Sequence, residues 1–321
     1  MDVVFVPFIY TISYLVVHVQ RLGDELVPKQ MDEQNIVSRV RMGFWVQSNK
    51  GSMMKKLYIW LFTILITIAS IVYQRKTGPT YPIDGQVEIG GMPLAYTFER
   101  AHAGAGDHDV RLGISNDQIV GTLYWRRYKT DDPFNSVPMQ NKDGILTAGL
   151  PHQPPAGKLE YHVALEFKGE RVTFPHHNVV IRFRGDVPAW ALIPHILLMF
   201  LAMIFSTYTG LSAAIKDEKL YRWIWITCLV LFAGGFIFGP LVQKFAFGDF
   251  WTGIPFGTDL TDNKTLVAQM AWIMALIIYR RNPKNRLVVI IAAAITLIVF
   301  LIPHSLMGSE LDYGQEGMGK V

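Results

Sequence analysis

Two histidines, each preceded by a proline, are the side chains in this sequence best placed for chemistry: His195 after Pro194 and His304 after Pro303. An imidazole carries a proton near neutral pH and ligates metals. Two imidazoles facing each other across a helix bundle can also hold a b-type haem. Acids flank them in the chain, Asp249 and Asp259 in one loop and Glu310 and Asp312 in the C-terminal tail. His195, His304, Asp249, Asp259, Glu310 and Asp312 therefore form a candidate site for a proton or a metal ion, with haem b as a further cofactor reading. The competing and preferred reading is plainer. A histidine near a helix end reaches interfacial water without any ligand, and burying an ionisable group in a span is otherwise costly.

A second cluster, His102, Asp107, His108 and Asp109, lies in the segment Arg-Ala-His-Ala-Gly-Ala-Gly-Asp-His-Asp from Arg100 to Asp109. Its glycines and aspartates suit an exposed loop better than a metal site. His176-His177, after Pro175, reads as a solvated turn. No catalytic residue is assigned. The sequence holds no Gly-x-Ser-x-Gly elbow, no phosphate loop ending in Lys-Ser/Thr and no His-Glu-x-x-His. The single cysteine, Cys228, excludes an internal disulfide framework, a cysteine zinc site and c-type haem attachment. Nucleic-acid motifs are absent too, and the net charge of +4 comes from basic residues beside apolar runs.

The elements that must position these residues are mostly apolar. Half of the 321 residues are hydrophobic, 17% are charged, and the mean hydropathy is +0.24. Crossing a bilayer core of about 30 Å takes about 20 helical residues. Four apolar segments stand out in the C-terminal half, Ala189–Tyr208, Trp223–Val242, Leu266–Tyr279 and Leu287–Ile302, with a fifth, Leu57–Tyr73, upstream. The first two suffice as they stand. Leu266–Tyr279 suffices only if its helix starts near Asp262, through a cap on Thr261 or Asp262, and Leu287–Ile302 only if it extends slightly. The small pair Gly235-x-x-x-Gly239 suits close helix packing.

Basic residues orient the spans. Lys216, Lys219 and Arg222 lie between Ala189–Tyr208 and Trp223–Val242, and Tyr279–Arg286 holds Arg280, Arg281, Lys284 and Arg286 without an acid. These turns are expected in the cytoplasm, and the second also argues against a re-entrant hairpin. The loop Gln243–Lys264, the tail and the stretch from Gly78 to Asp186 are then expected outside a plasma membrane. For residues 1–52 two readings stand: a sixth span at Val3–Val19, or an over-extended gene start ahead of Met53-Met54-Lys55-Lys56. The second is preferred, with 53–77 as a signal-anchor helix.

Between Gly78 and Asp186 alternation replaces apolar runs. Candidate strands are Gln86–Ile89, Ala95–Arg100, Asp109–Ile114, Ile119–Tyr128, Ile145–Leu150, Leu159–Phe167, Arg171–Phe174 and Val179–Arg184, punctuated by turns such as Lys142-Asp143-Gly144 and Lys168-Gly169-Glu170. The run Thr122-Leu-Tyr-Trp-Arg-Arg-Tyr128, with Ser136-Val-Pro-Met139, Leu150-Pro151 and Gly157-Lys-Leu-Glu-Tyr-His-Val163, resembles an immunoglobulin- or fibronectin-like module over residues 84–185. The resemblance implies a β-sandwich without the antibody disulfide, and no ligand.

The expected fold class is thus a membrane helical bundle plus an all-β external domain. Its parts are an N-terminal extension over 1–52, a signal-anchor helix over 53–77, an Ig-like β-sandwich over 78–186, four membrane helices over 187–304 and an external tail over 305–321. The expected role is non-enzymatic: a complex subunit in the lipid bilayer whose external domain binds a partner protein, with no nucleic acid and no cofactor. The runner-up is a membrane redox or ion-handling subunit using the outer-face histidines and acids.

Overall fold

The computed structural model describes residues 33–303, 308 and 310–315, with side chains over 53–303, 308 and 310–314. The expected span at Val3–Val19 and His304 lie outside the described residues. The chain divides into two compact units, Met1–Tyr58 and Ile59–Val321.

Helix α1 covers Glu33–Thr77 and ends with Arg75 and Lys76 in its last turn, where cations meet the negative end of the helix dipole. After the β region come α2 (Ala189–Ala214), α3 (Leu220–Phe232), a π-helical segment (Ala233–Phe238), α4 (Gly239–Phe247), α5 (Leu260–Arg281) and α6 (Leu287–Leu301). Among the described residues three stretches are long and apolar enough to cross a membrane: Met53–Thr77, Ala189–Ala214 and Leu220–Phe247. Helix α5 has 22 residues but carries Asp262 in its first turn and Arg280 and Arg281 in its last. Helix α6 has 15 residues, which at 1.5 Å each reach only about 22 Å. It stops at Leu301 because Pro303 disfavours a helical conformation at Ile302, which is extended at φ −67°, ψ 121°.

The π segment has a local cause. Pro240, at the start of α4, has no N–H for the carbonyl four residues back, and its ring crowds that carbonyl. The helix relaxes into wider i→i+5 bonding, and the Gly239 N–H reaches the Gly234 carbonyl. Small residues then admit the neighbours. A Cβ on Gly234 would lie 3.0 Å from Leu198 of α2, and one on Gly235 would lie 2.6 Å from Thr265 of α5. The helix core includes Ile224, Leu231, Trp272, Val289 and Ala292. Polar bonds join its helices where no water can: Trp272 donates to Thr296 at 2.8 Å, and the Thr209 and Thr227 hydroxyls meet at 3.1 Å. Arg286 donates to the Asp217 carbonyl at 3.3 Å, so the two basic turns share one end of the bundle.

The described β strands are β1 (Ile83–Ile89), β2 (Met92–Phe98), β3 (Ala101–Ala103), β4 (His108–Gly113), β5 (Val120–Arg127), β6 (Asn135–Pro138), β7 (Gln140–Lys142), β8 (Ile145–Leu150), β9 (Lys158–Phe167) and β10 (Glu170–Arg184). They form a hairpin β1-β2, a five-stranded sheet in the order β3-β10-β9-β5-β6 and a three-stranded sheet in the order β4-β8-β7. Side chains from all three meet in one core that includes Phe98, Leu112, Leu123, Leu146, Tyr161, Leu165 and Phe183. Alternation explains the selection: along β9, Leu159, Tyr161 and Val163 are buried, while Glu160 and His162 face the other way.

Three hairpins close on residue pairs with positive φ, Gly90-Gly91 (57° and 71°), Asp143-Gly144 (53° and 78°) and Lys168-Gly169 (48° and 87°). This is the turn geometry whose twist matches the flanking strands. The expected separate strands Arg171–Phe174 and Val179–Arg184 are one strand, β10, whose pairing with β9 shifts register between Phe174 and Val179. His176 and His177 therefore lie in a strand irregularity rather than a turn. Short β3, β6 and β7 are absent from the sequence reading, since three or four residues carry too little alternation to register.

Candidate functional site

Asp259 and Asp262 organise the loop between α4 and α5. The helix begins at Leu260, and the Asp259 carboxylate accepts from the amides of Thr261 (2.7 Å) and Asp262 (3.4 Å). Asp259 is the cap, in place of the expected Thr261 or Asp262, because its non-helical backbone (φ −54°, ψ 121°) turns the short side chain back over the first turn. Asp262 already sits inside that turn and serves the loop instead. Its Oδ2 accepts from Thr252 N (2.7 Å), Gly253 N (3.0 Å) and Thr252 Oγ1 (3.3 Å). Asn263 Oδ1 accepts from Ile254 N at 2.7 Å. The aromatic loop, with Phe250 and Phe256 exposed, is thereby pinned to the first turn of α5.

Beside this loop the helices and the end of β10 enclose a cavity of about 360 Å³, a size proper to small-molecule sites, which run from roughly 300 to 1,000 Å³. Much of its wall is apolar, from Leu192, Met199, Met203, Leu231, Val299 and Phe300. A polar sector is formed by Gln74, Arg182, His195, Gln243, Asp259, Asp262 and Lys264. His195 Nδ1 stands 2.9 Å from the Gly234 carbonyl of the π segment. A carbonyl only accepts, so Nδ1 carries the hydrogen. Lys264, on a buried face of α5, donates to the carbonyls of Ile302 (2.9 Å) and Pro303 (3.5 Å) beyond the end of α6. Gln74 Nε2 donates to the same Ile302 carbonyl at 3.3 Å. Arg182 lays its guanidinium 3.9 Å from the centre of the Phe247 ring, a cation–π contact. Burial pulls Arg182 down to about 10 against the charges of Asp259 and Glu310, so it remains a cation at neutral pH.

Of the residues singled out from sequence, His195 and Asp259 both line this cavity. His304 lies outside the described residues. Asp249 is exposed in the aromatic loop. Glu310 instead bridges two lysines of the β region, Lys129 at 2.7 Å and Lys158 at 2.9 Å. Asp312 accepts from Gly314 N in a local turn. The tail is held on the β region further by Leu311 N to the Ala156 carbonyl (3.2 Å) and by the Tyr313 hydroxyl, 3.0 Å from Gln153 Oε1. Gln74, Gln243 and Lys264 escaped the sequence reading as site residues, and Asp262 entered it only as a helix cap. Their one sequence signal is a polar side chain inside or beside an apolar run.

In the other histidine cluster, His102 and His108 present Nδ1 atoms 3.3 Å apart, while Asp107 accepts from His152 N at 2.8 Å. Burial, helped by His102, lowers the His108 pKa, which favours the neutral ring. Among the described residues no group of three or more His, Cys, Asp or Glu side chains is arranged to hold a metal ion.

A second surface lies on the outward face of the five-stranded sheet. Pairing places Tyr124 opposite His162 and Arg126 opposite Glu160. The Tyr124 and His162 rings stack at 5.2 Å, and Phe134 meets His162 edge-on at 5.0 Å. Arg126 lies 4.6 Å from the Phe134 ring centre and 2.6 Å from Glu160 Oε1. Asn178, in the irregular stretch of β10, donates to Glu160 Oε2 at 3.0 Å, so its oxygen faces His162 Nδ1, also at 3.0 Å. Arg171 donates to the Tyr124 hydroxyl at 2.9 Å. Burial lowers the His162 pKa against the Asn178 bond and the Glu160 charge. The result is a row of partly exposed rings in which side-chain bonds hold Tyr124 and His162 and Phe134 packs against His162 and Arg126.

Comparison of the chain with models of known protein families found no match, and comparison with curated proteins found none either.

Proposed function

We propose that this chain is a multi-pass plasma-membrane protein with a signal-anchor helix, an extracytoplasmic immunoglobulin-like β-sandwich and a four-helix membrane domain. Its role in this reading is that of a non-enzymatic complex subunit, binding a partner protein through the outward face of the five-stranded sheet. The observation that carries the reading is the ring row Tyr124, Phe134 and His162, framed by Arg126, Glu160, Arg171 and Asn178. Aromatic residues and arginine are enriched where proteins bind each other. Ordering a side chain on association costs about 0.5–1.5 kcal/mol, and rings already held in place avoid most of that loss. The two basic turns at one end of the helices support a cytoplasmic location for that end.

The test uses the full chain in native membranes. A photo-crosslinking residue at Ser136, exposed beside Tyr124, is expected to trap one discrete protein species, lost when Tyr124 and His162 are both changed to Ala. The same probe at exposed Gln118 serves as control. Identical products at the two positions, or none at Ser136, refute the binding face. Orientation is tested separately in a Cys228→Ser background. An impermeant thiol reagent on intact cells should label Ser115→Cys and not Asn282→Cys, and labelling of both refutes the topology.

A further inference from the structure

The loop Gly248–Gly257, between α4 and α5, has the polarity of a water-facing loop reversed. Thr252 N and Gly253 N give their hydrogens to Asp262, and Ile254 N gives its hydrogen to Asn263. Phe256 N and Gly257 N donate to the Gly253 carbonyl at 2.8 and 2.9 Å. Pro255 has no N–H, so every amide donor from Thr252 to Gly257 ends on a protein acceptor. The indole N–H of Trp251 is engaged as well, at 3.1 Å from the Ile254 carbonyl. Yet Phe250, Ile254 and Phe256 are 53%, 61% and 82% exposed, and no charged residue lies from Phe250 to Gly257. Exposed large apolar side chains grouped in this way mark an interaction surface. Lipid offers a peptide group no hydrogen-bond partner, so backbone set against it has to be satisfied within the protein.

The loop also lies at the depth of the helices, not above them. Trp251 stacks on Phe236 of the π segment at 5.5 Å. Phe236 precedes the end of α4 at Phe247 by eleven residues, up to about 16 Å of helix. Gln243 donates to Thr252 one turn before that end, so the chain folds back along α4 after leaving it. His195, six residues into α2, meets the carbonyl of Gly234, two residues from Phe236. The level of Trp251 is therefore within the length of α2. Phe236 stacks in turn on Phe232 at 5.8 Å, and Phe232 is exposed on the apolar, span-length stretch Leu220–Phe247. The ring series Phe232, Phe236, Trp251 makes the loop continuous with the outer surface of that stretch.

We infer that this loop is seated in the outer leaflet of the bilayer. Phe250, Ile254 and Phe256 dip into the boundary between headgroups and acyl chains, and the exposed Asp249 carboxylate stays in the hydrated headgroup layer. The inference rests on the membrane reading above and gives a lipid partner to a segment outside the membrane helices. Aromatic rings suit that boundary, which is apolar on one side and wet on the other.

The experiment uses the full chain in lipid nanodiscs, in a Cys228→Ser background, with an environment-sensitive fluorophore on one introduced cysteine at a time. Phe256→Cys and Ile254→Cys report on the loop, and both side chains are exposed, so their replacement leaves the core intact. Leu197→Cys, on the exposed face of α2, reports on lipid, and Ser115→Cys, exposed in the β region, reports on water. Lipids brominated along the acyl chain quench probes in the bilayer, and iodide quenches probes in water. Both loop probes are expected to lose most of their emission to brominated lipid and little to iodide. Lipids brominated close to the headgroup should quench them best, which places them within about 5–10 Å of the headgroup–acyl boundary. Loop probes quenched by iodide alone, with Leu197→Cys quenched by lipid, overturn the inference and leave the membrane reading standing. Loop probes shielded from both quenchers overturn it in favour of a covering protein surface. A Leu197→Cys probe that lipid does not quench refutes the membrane reading itself.

Discussion

Replacing Asp262 by Ala should loosen the aromatic loop without unwinding the start of α5. The carboxylate accepts two backbone amides, Thr252 N at 2.7 Å and Gly253 N at 3.0 Å, and one hydroxyl. A hydrogen bond to a charged group contributes about 1.5–3 kcal/mol, and a buried donor left without a partner costs about 1–3 kcal/mol. Gly253 is buried and Thr252 half-buried, so water can replace the acceptor at Thr252 far better than at Gly253. Counting one bond at full value and the other as largely restored by solvent gives a loss of about 2–3 kcal/mol. At about 1.4 kcal/mol per factor of ten, the loop-opening equilibrium rises roughly 30- to 150-fold. Amide hydrogen exchange of the 248–259 segment, read by mass spectrometry on the intact protein, measures that equilibrium directly. Asp259→Ala should act elsewhere. It removes the helix cap, worth about 1 kcal/mol, and should speed exchange at Thr261 and Asp262 while leaving Thr252 and Gly253 within a factor of about three. If Asp262→Ala leaves those two amides unchanged, or if both variants loosen the same amides equally, the division of labour argued for the two acids is wrong.

Two further outcomes follow from the geometry. Partial burial raises the Glu310 carboxyl, but bonds and charge from Lys129 and Lys158 outweigh it, so Glu310 titrates below its ordinary 4.5; docking of the tail is therefore strengthened above that value and weakens as pH falls through the lowered one. Exchange of the Leu311 amide should accelerate over that acid range, and Glu310→Gln, costing about 1 kcal/mol as a partly exposed ion pair would, should abolish the pH dependence; an unchanged acid response in Glu310→Gln refutes the assignment. Gly235→Ala places a Cβ 2.6 Å from Thr265 Cγ2, and such overpacking costs about 1–3 kcal/mol. Thr265→Ser, which removes that methyl and keeps the hydroxyl for Thr261, should restore most of the lost thermal midpoint, whereas additive losses would place the strain elsewhere.

The sequence by itself determined what depends on neighbours along the chain. Ile145–Leu150 alternates and is a strand with those bounds, Asp143-Gly144 and Lys168-Gly169 are tight turns, and the apolar runs from Ala189 and within Leu220–Phe247 are helices. Each is settled by side-chain period and backbone preference over a few residues. Tertiary structure decided what depends on partners far away in the chain. Asp259 and Asp262 are both plausible caps as residue types, and only the path of the 252–253 backbone makes one a cap and the other a loop brace. Glu310 is an acid near His304 in sequence, yet its nearest opposite charges are Lys129 and Lys158, brought to it by the fold of the β region. The widened turn at Ala233–Phe238 has its cause in Pro240, but that the Gly234 carbonyl receives His195 follows from the packing of α2 against α3. Gln74 and Gln243 look like incidental polar residues until the fold brings one amide N–H of each to a distant acceptor, the Ile302 carbonyl and the Thr252 hydroxyl. Hydrogen-bond valence is local to a residue, but whether it is filled is a property of the whole fold.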